Sequence, residues 1–405
     1  MASIHPFRAV RPEPRVASDV SSVPYDVVST EEARALAAGN PLSFLRVTRS
    51  EIDLPPDTDP YASKVYAKAR ENFETLRRQA PLVTEDVASL YFYRLRMGQH
   101  EQTGIAGCFS VDEYESDVVK KHERTRRDKE DDRTRHIIEL RAQTGVVFLT
   151  YKAAAGIDAI ERRVTAQAPL YDFTASDGVH HTVWRARDAD TKALVAEFAK
   201  ISALYIADGH HRAASAARAR AELHGQPDAS EANTFIAVAF PDNQMQILPY
   251  HRVVKDLAGQ SPQQFLDAVR EVATVSDGGP TPRRKGDVSM YVDGRWYSVD
   301  VSQLKPEDDS RAASLDVALL QRHVLEQILK IGDVRSDKRV DFVGGARGTK
   351  ALEERVNSGQ AAVAFSMHPV TIDDLMAISD AGGIMPPKST WFEPKLRDGL
   401  LIHTI

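Results

Sequence analysis

The 405-residue sequence contains a single cysteine, Cys108, so no disulfide can form within the chain. That excludes the small scaffolds that several disulfides hold together. Cys108 stands between Gly107 and Phe109 in an apolar run, which predicts a buried strand residue rather than a catalytic thiol. His-Glu-x-x-His and Cys-x-x-Cys motifs are absent, and the glycine-rich stretch 344–350 lacks the spacing of a P-loop.

Long apolar runs and an excess of basic residues are also missing. No stretch approaches the roughly 18 apolar residues that cross a bilayer, and the first residues show no signal-peptide pattern. We therefore expect a cytoplasmic protein that makes no membrane contact. The 52 basic and 58 acidic residues give a formal net charge of -6, so nucleic acid is not an expected partner. The sequence does not specify an oligomeric state.

The length of the chain and its alternating patterns predict several parts of mixed α and β class (α+β). We predict an N-terminal α/β segment over residues 1–84 that packs on the core. A catalytic core with an insertion follows over residues 85–258, and an α+β domain occupies residues 259–405. The last boundary is inferred from a change in the sequence pattern after residue 257 and from the glycine- and proline-rich stretch 276–286.

Local patterns make more specific predictions. A capping box at residues 29–32 begins a helix, and the runs 88–95 and 102–109 form a hairpin. Residues 44–47 are predicted as a strand. The densely charged stretch 111–143 is predicted to be helical, since opposite charges recur at i, i+4 spacing.

The strongest chemical signal is an Asp-Gly-His-His-Arg segment at residues 208–212, between an apolar strand (203–207) and an alanine-rich helix (213–223). Gly209 lets the backbone approach a ligand closely. The N–H groups and dipole of a helix N-terminus favour an anion. The arrangement therefore predicts a phosphate site. The alternative is an Asp-Gly turn that begins a surface helix, with two incidental histidines.

The other side chains of this segment suit phosphoryl chemistry. Arg212 carries a planar fork that fits phosphate, and Asp208 can hold Mg²⁺ or orient a hydroxyl. His210 and His211 can donate to phosphate oxygens or shuttle protons. Because adjacent residues point about 100° apart on a helix, the two histidines are not a zinc-binding pair.

Two further segments are candidates. Lys-His-Glu at residues 121–123 lies in the charged stretch, and by itself it is typical of a solvated helix. Residues 385–395 combine lysines, hydroxyls and aromatics, so Lys388, Ser389 and Thr390 are candidate phosphate contacts. The alternative for this segment is a tail that packs its aromatic rings on a domain.

Taken together, these segments resemble, nearly end to end, a bacterial and archaeal family known as domain-of-unknown-function family 1015. The resemblance is carried by residues 24–27, residues 40–51, Lys121-His122-Glu123 with Thr125 and Lys129, Asp132-Arg133, Asp208 to Arg212, and Met385 to Lys395. The strand, turn and helix around residues 208–212 more distantly resemble the core of the ParB/sulfiredoxin-like superfamily. That superfamily includes free-serine kinases, sulfiredoxins and chromosome-partitioning proteins. The resemblance implies a ParB/sulfiredoxin-like core with an added α+β C-terminal domain.

The distant resemblance also implies a chemistry. It makes Glu123 the general base and residues 208–212 the phosphate site, with Lys121 beside it, Mg²⁺ on Asp208, and ATP or ADP as the nucleotide. The expected function is a phosphotransferase between a nucleotide and a small hydroxylated metabolite, with serine as the first candidate. About 85 residues separate Glu123 from Asp208, which predicts an insertion at about 150–200 that leaves the core intact.

Three alternatives remain open at this point. A phosphoserine phosphatase would use the same site with water as the nucleophile. A nucleotide-dependent binding switch, as in partitioning proteins, would bind nucleotide without turnover. In the third alternative, the protein has lost catalysis and the turn remains only as a structural scaffold.

Overall fold

A computed structural model describes residues 1–79, 82–227 and 229–405. Its α-helices are α1 Ala17–Val20, α2 Thr30–Leu36, α3 Leu45–Thr48, α4 Ser63–Gln79, α5 Val111–Glu115, α6 Arg127–Leu140, α7 Ala155–Thr165, α8 Asp188–Phe198, α9 His210–Leu223, α10 Pro262–Val272, α11 Asp316–Leu320, α12 Lys350–Asn357 and α13 Ile372–Asp380. Its strands are β1 Val10–Arg11, β2 Val83–Thr84, β3 Tyr91–Met97, β4 His100–Ser110, β5 Val119–Lys120, β6 Ala142–Gln143, β7 Val147–Tyr151, β8 Tyr171–Thr174, β9 His180–Arg185, β10 Leu204–Asp208, β11 Thr234–Pro241, β12 Ile247–Leu248, β13 Tyr250–Val254, β14 Thr274–Asp277, β15 Asp287–Val292, β16 Arg295–Asp300, β17 Val340–Gly344, β18 Val363–Ser366, β19 Trp391–Phe392 and β20 His403–Thr404. The predicted mixed α and β class is confirmed.

The described chain forms two compact units. The first contains Met1–Met245 together with Pro394–Ile405, and the second contains Gln246–Glu393. This grouping differs from the predicted three-part division at residues 84/85 and 258/259. The reason is long-range pairing, because His5 bridges Cys108 and Val10 bridges Ile402. Both chain ends therefore belong to the same body as the predicted core.

The first unit is built on an eight-stranded sheet with the order β5-β10-β7-β11-β4-β3-β9-β8. Two pairs, β5 with β10 and β7 with β11, are parallel. One apolar cluster joins the sheet to α7, α8 and α9, with Leu149, Ile157, Phe198, Ile206 and Ala213 all buried. The region predicted as an insertion supplies β8 and β9, at the opposite end of the sheet from β5.

Several local predictions are confirmed. Ser29 and Glu32 form the capping box of α2, β3 and β4 pair as a hairpin, and Cys108 is buried. Burial raises the pKa of the Cys108 thiol, so it stays protonated at neutral pH, as expected of a structural cysteine.

Two local predictions are wrong. Residues 44–47 overlap the helix α3 instead of forming a strand, because Phe44 and Val47 pack at helical spacing against Phe73 of α4. The charged stretch 111–143 is not one helix. Asp117 adopts a left-handed φ of 60° after α5, and the chain then forms β5 and a loop before α6 begins.

The second unit contains an antiparallel sheet with the order β14-β16-β15-β18-β13-β17, and β12 pairs separately with β19. Helix α12 covers one face of this sheet through Leu352, which shares a buried cluster with Val253, Val343 and Ala364. Among the described residues of the whole chain, none of the helices has the length and apolar character required for a transmembrane span.

Candidate functional site

Two parallel strands bring remote parts of the chain to one edge of the first unit's sheet. Strand β5 pairs with β10, with Val119 opposite Leu204. Parallel strands end at the same edge of a sheet, so the loop 121–126 after β5 lies beside the turn 208–209 after β10. Strand β10 is buried up to its last residue, so the turn is anchored by core packing.

Two hydrogen bonds attach the loop to the first turn of α9. The backbone N–H of His122 donates to Nε2 of His210 at 3.3 Å. The backbone N–H of Arg126 donates to Nε2 of His211 at 2.9 Å. Glu123 lies between these two anchored positions and is half-buried. The loop that carries Glu123, the predicted general base, is therefore attached to the helix end that the sequence predicts as a phosphate site.

Gly209 forms the N-cap of α9 in the left-handed region, with φ 95°, and no side chain caps this helix end. The first-turn N–H groups of a helix have no acceptor within the helix. A glycine N-cap leaves them unobstructed by a capping side chain. This end of α9 therefore keeps the backbone geometry that suits an anion.

We expect Gly209→Ala to destabilise the first unit by about 1–3 kcal/mol. The left-handed backbone costs a non-glycine residue about 1–2 kcal/mol, and the new Cβ would lie 3.1 Å from Cζ of the buried Arg212. Gly178→Ala is the matched control, since its φ is 81° but the Cβ would meet nothing within 4 Å. Urea unfolding should show the larger loss for Gly209→Ala, and equal losses would contradict the crowding against Arg212.

Arg212 is turned into the protein and contacts three separate parts of the chain. Its Nη2 donates to Asp26 at 3.2 Å and to Asp208 at 3.4 Å, and its Nη1 donates to the carbonyl of Val146. Burial opposes the charge, but Asp26 and Asp208 outweigh burial and raise the pKa of Arg212. These contacts differ from the phosphate contact predicted for the Arg212 fork. Here the side chain positions Asp208.

Asp208 carries two cationic neighbours. Lys395 Nζ lies 3.2 Å from its Oδ2, the same oxygen that Arg212 contacts. Burial would raise the pKa of Asp208, but Lys395 and Arg212 outweigh it and hold the pKa well below the ordinary value. Asp208 is therefore ionised at any physiological pH. Sequence reasoning missed Lys395, although it ends the dense segment 385–395.

The His122 and His210 rings pack edge to face with centroids 4.4 Å apart. Burial lowers the pKa of His122 to about 4, with Asp208 partly opposing. Burial, and then His122, lower the pKa of His210 well below its ordinary value. Both rings are therefore neutral near pH 7. Because Nε2 of His210 accepts a hydrogen bond, its proton belongs on Nδ1, and the ring serves to hold the 121–126 loop.

A buried carboxyl that sequence reasoning missed lies next to Arg212. Asp398 is 1% exposed, and its backbone N–H donates to the carbonyl of Ser22 at 2.9 Å. Burial raises the pKa of Asp398 to about 7, although Arg212 opposes this, and Asp26 raises it further. Its Oδ2 has no hydrogen-bond partner among the described residues, which fits a protonated side chain.

The raised pKa of Asp398 makes a prediction about stability and pH. A carboxyl whose folded pKa is raised contributes stability below its unfolded pKa of about 3.9, and that contribution is lost as pH rises through about 7. Asp398→Asn keeps the shape and cannot ionise. Between pH 5 and pH 8 the wild type should lose about 3 kcal/mol of unfolding free energy more than this variant. Chemical denaturation measures both unfolding free energies. If those of the wild type and of Asp398→Asn changed equally with pH, the raised pKa of Asp398 would be contradicted.

A small cavity that opens to solvent lies beside Arg212, and Tyr25, Arg133, Gln143 and Gly145 also line it. The guanidinium carbon of Arg133 lies 4.2 Å from the Tyr25 ring centroid. Three of the segments that carry the family resemblance, at residues 24–27, 132–133 and 208–212, therefore meet around one pocket.

A resident Mg²⁺ does not fit these residues. Within residues 1–79, 82–227 and 229–405, no group of three or more His, Cys, Asp or Glu side chains is arranged to hold a metal ion. The carboxylate of Asp208 is already neutralised by Lys395 and Arg212, whereas a protein-bound cation needs uncompensated oxygen ligands. Asp208 could contact an ion only through its Oδ1, and other groups would have to hold that ion.

The family described as "Protein of unknown function (DUF1015)" matches residues 4–318. The chain belongs to this family. A search of curated proteins found no match. The resemblance predicted from the segments above is thus confirmed, and the matched range includes every candidate residue of this DUF1015 chain except those near its C-terminus.

Solved structures similar to this DUF1015 protein include three with low sequence identity. "Free serine kinase in complex with AMP" matches with a TM-score of 0.38 and 11% identity over 73% of this chain and 91% of that chain. A conserved hypothetical protein from Pyrococcus furiosus matches with a TM-score of 0.37 and 11% identity over 73% and 94% of the two chains. SbnI with a C-terminal truncation, from Staphylococcus aureus, matches with a TM-score of 0.39 and 11% identity over 72% and 85%.

The remaining predicted phosphate contacts of this DUF1015 protein lie elsewhere. Lys121 Nζ donates to the carbonyl of Tyr114 at 2.7 Å and pairs with Asp117 at 3.3 Å, so its ammonium lies against α5. Lys388, Ser389 and Thr390 belong to the second unit, where the Ser389 hydroxyl donates to the carbonyl of Pro386 at 2.6 Å. A phosphate role for these four residues stays a prediction.

Proposed function

We propose that this site is a phosphotransferase centre that moves phosphate between a nucleotide and a small hydroxylated metabolite, with serine as the first candidate. The observation that carries the proposal is the attachment of the Glu123 loop to the first turn of α9 through His210 and His211. It brings a candidate base to a helix end that favours phosphate. Phosphoryl transfer needs this kind of positioning and charge neutralisation more than covalent chemistry.

Phosphate would bind at the N-terminus of α9. The backbone of Gly209 allows close approach, and the helix dipole favours the anion. Lys395, whose side chain is 14% exposed, adds a cation at the same place. Arg212 supports the site from behind by fixing Asp208. The surplus positive charge would therefore come from the helix dipole and from Mg²⁺ that enters on the phosphates of ATP or ADP rather than as a resident ion.

Glu123 and Asp208 would divide two roles. The pKa of Asp208 is held well below its ordinary value, so it accepts a proton poorly but accepts a hydrogen bond well. A general base works best when its pKa lies near the working pH, which argues against Asp208 in that role. Glu123, on the loop attached to α9, is the proposed base that takes the hydroxyl proton, while Oδ1 of Asp208 orients that hydroxyl.

A phosphate-transfer screen tests the proposal. The purified chain with Mg²⁺ is given serine plus ATP or ADP in one set, and O-phosphoserine with and without nucleotide in the other. Nucleotide-dependent formation of O-phosphoserine is the expected result. Release of phosphate from O-phosphoserine without nucleotide would favour the phosphatase alternative. Nucleotide binding with no turnover in any arm would favour the binding switch and reject the transferase.

A further inference from the structure

The second unit buries an arginine on a strand in an apolar row. Arg252 lies on β13, opposite Phe342 on β17 and Phe365 on β18. Residues that face each other across antiparallel strands share a face of the sheet. Only 3% of Arg252 is exposed. An arginine buried to this extent is normally paired with an acidic group.

The partners of Arg252 are backbone carbonyls. Its Nη2 donates to Pro387 at 3.2 Å and to Lys388 at 2.9 Å, and its Nη1 donates to Tyr250. Within the described part of the chain, no carboxylate forms an ion pair with it, and burial lowers the pKa of Arg252. These bonds use three of the five N–H groups of a guanidinium, so two remain for a ligand. The buried charge itself is uncompensated.

Arg252 lines a shallow cavity that opens to solvent. The wall combines the apolar side chains of Leu315, Met367 and Val370 with the buried Ser389. A cavity of this kind, largely apolar with a few convergent polar groups, is typical of small-molecule sites.

Arg252 is the cation of this cavity that has no carboxylate partner among the described residues. The lining also contains Lys285 and two carboxylates. Asp374 pairs with Lys285 at 3.2 Å and, outside the lining, with Arg311 at 2.7 Å. Asp316 accepts the backbone N–H of Gly286 at 2.9 Å, and burial raises its pKa. A single carboxylate would compensate the charge of Arg252, whereas a dianionic phosphate would bring a second negative charge close to Asp316 and Asp374.

We propose that this cavity binds a small carboxylic acid with a short apolar side chain. Its carboxylate would accept from the remaining N–H groups of Arg252, and its carbon chain would contact Leu315 and Met367. The site is separate from the proposed transferase centre and does not depend on it. It also gives the dense segment 385–395 a role, since the carbonyls of Pro387 and Lys388 orient the guanidinium.

Calorimetric titration of the full chain with isobutyrate, isobutyramide and inorganic phosphate tests this proposal. Isobutyrate should bind saturably, and its neutral amide and phosphate should not. Arg252→Met should weaken isobutyrate binding by roughly tenfold or more, as loss of a charged hydrogen-bond donor does. Its unfolding free energy reports separately what the three hydrogen bonds to backbone carbonyls contribute to stability.

A second variant keeps the test decisive if Arg252→Met fails to fold. Val370→Trp, at a half-buried position of the wall, should abolish isobutyrate binding by filling the cavity without changing charge. Three results would overturn the proposal. Isobutyrate and isobutyramide could bind equally, phosphate alone could bind, or isobutyrate binding could survive both substitutions. An Arg252→Met variant that unfolds, with no isobutyrate binding by the wild type, would assign Arg252 to holding residues 386–391.

Discussion

Glu123→Gln should lower phosphate transfer by roughly 10²–10⁴-fold, the usual contribution of a general base. The substitution keeps the size of the side chain and removes its negative charge, and with it the ability to take a proton. The loop should stay in place, because its anchors are the backbone N–H groups of His122 and Arg126. Nucleotide affinity should therefore stay near that of the wild type. Initial rates and equilibrium nucleotide binding, measured on the same preparations, separate the two effects.

The matched control for this prediction is Glu115→Gln. Glu115 ends α5 and pairs at 2.7 Å with Arg220, with its own side chain 52% exposed. Its loss should leave turnover unchanged and cost at most about 1 kcal/mol of stability. Unchanged turnover in Glu123→Gln would remove Glu123 as the base. Loss of nucleotide binding together with turnover would instead indicate that Glu123 holds the loop.

Arg212→Met should destabilise the first unit by about 3 kcal/mol. Removing one member of a buried charge cluster leaves its partners uncompensated, which costs about 3–5 kcal/mol. The lower end applies because the side chains of Asp26 and Asp208 are 36% and 30% exposed. Methionine keeps much of the volume, so packing loss is small. Unfolding free energies from urea denaturation measure the effect.

Two companions make the Arg212 result specific. Arg218→Met on the same helix removes pairs to Glu130 and Asp131 from a side chain that is 34% exposed, and should cost less than about 1 kcal/mol. Asp26→Asn in the Arg212→Met background should recover part of the loss, because one unpaired charge disappears. Equal losses for Arg212→Met and Arg218→Met would contradict the buried cluster.

The sequence predicts the turn at residues 208–212 well because its pattern is local. An apolar strand, a glycine and an alanine-rich helix follow one another, and each is visible in a short window. The hydrogen bonds of the Glu123 loop are not visible in this way. They depend on β5, a strand of two residues. It is too short to show the alternation of a strand, and it lies within a charged stretch that the sequence predicts as helical.

The contacts of the C-terminal residues were also beyond sequence reasoning. Lys395 and Asp398 return to the first unit and lie beside Asp208 and Arg212, about 190 residues away along the chain. No periodic pattern reports such a contact, and a lone Asp before a glycine is typical of a turn. The contact between Arg212 and Asp26 was not predicted for the same reason, because Asp26 lies in the N-terminal segment.

A crystal structure of the chain with ADP and serine tests the central claim most directly. The claim is that the Glu123 loop and the N-terminus of α9 form one phosphate-transfer site. We predict terminal phosphate oxygens within about 3.2 Å of the first-turn N–H groups of α9, with the serine hydroxyl between that phosphate and the carboxylate of Glu123. Nucleotide bound away from Gly209, or serine beyond the reach of Glu123, would contradict the account.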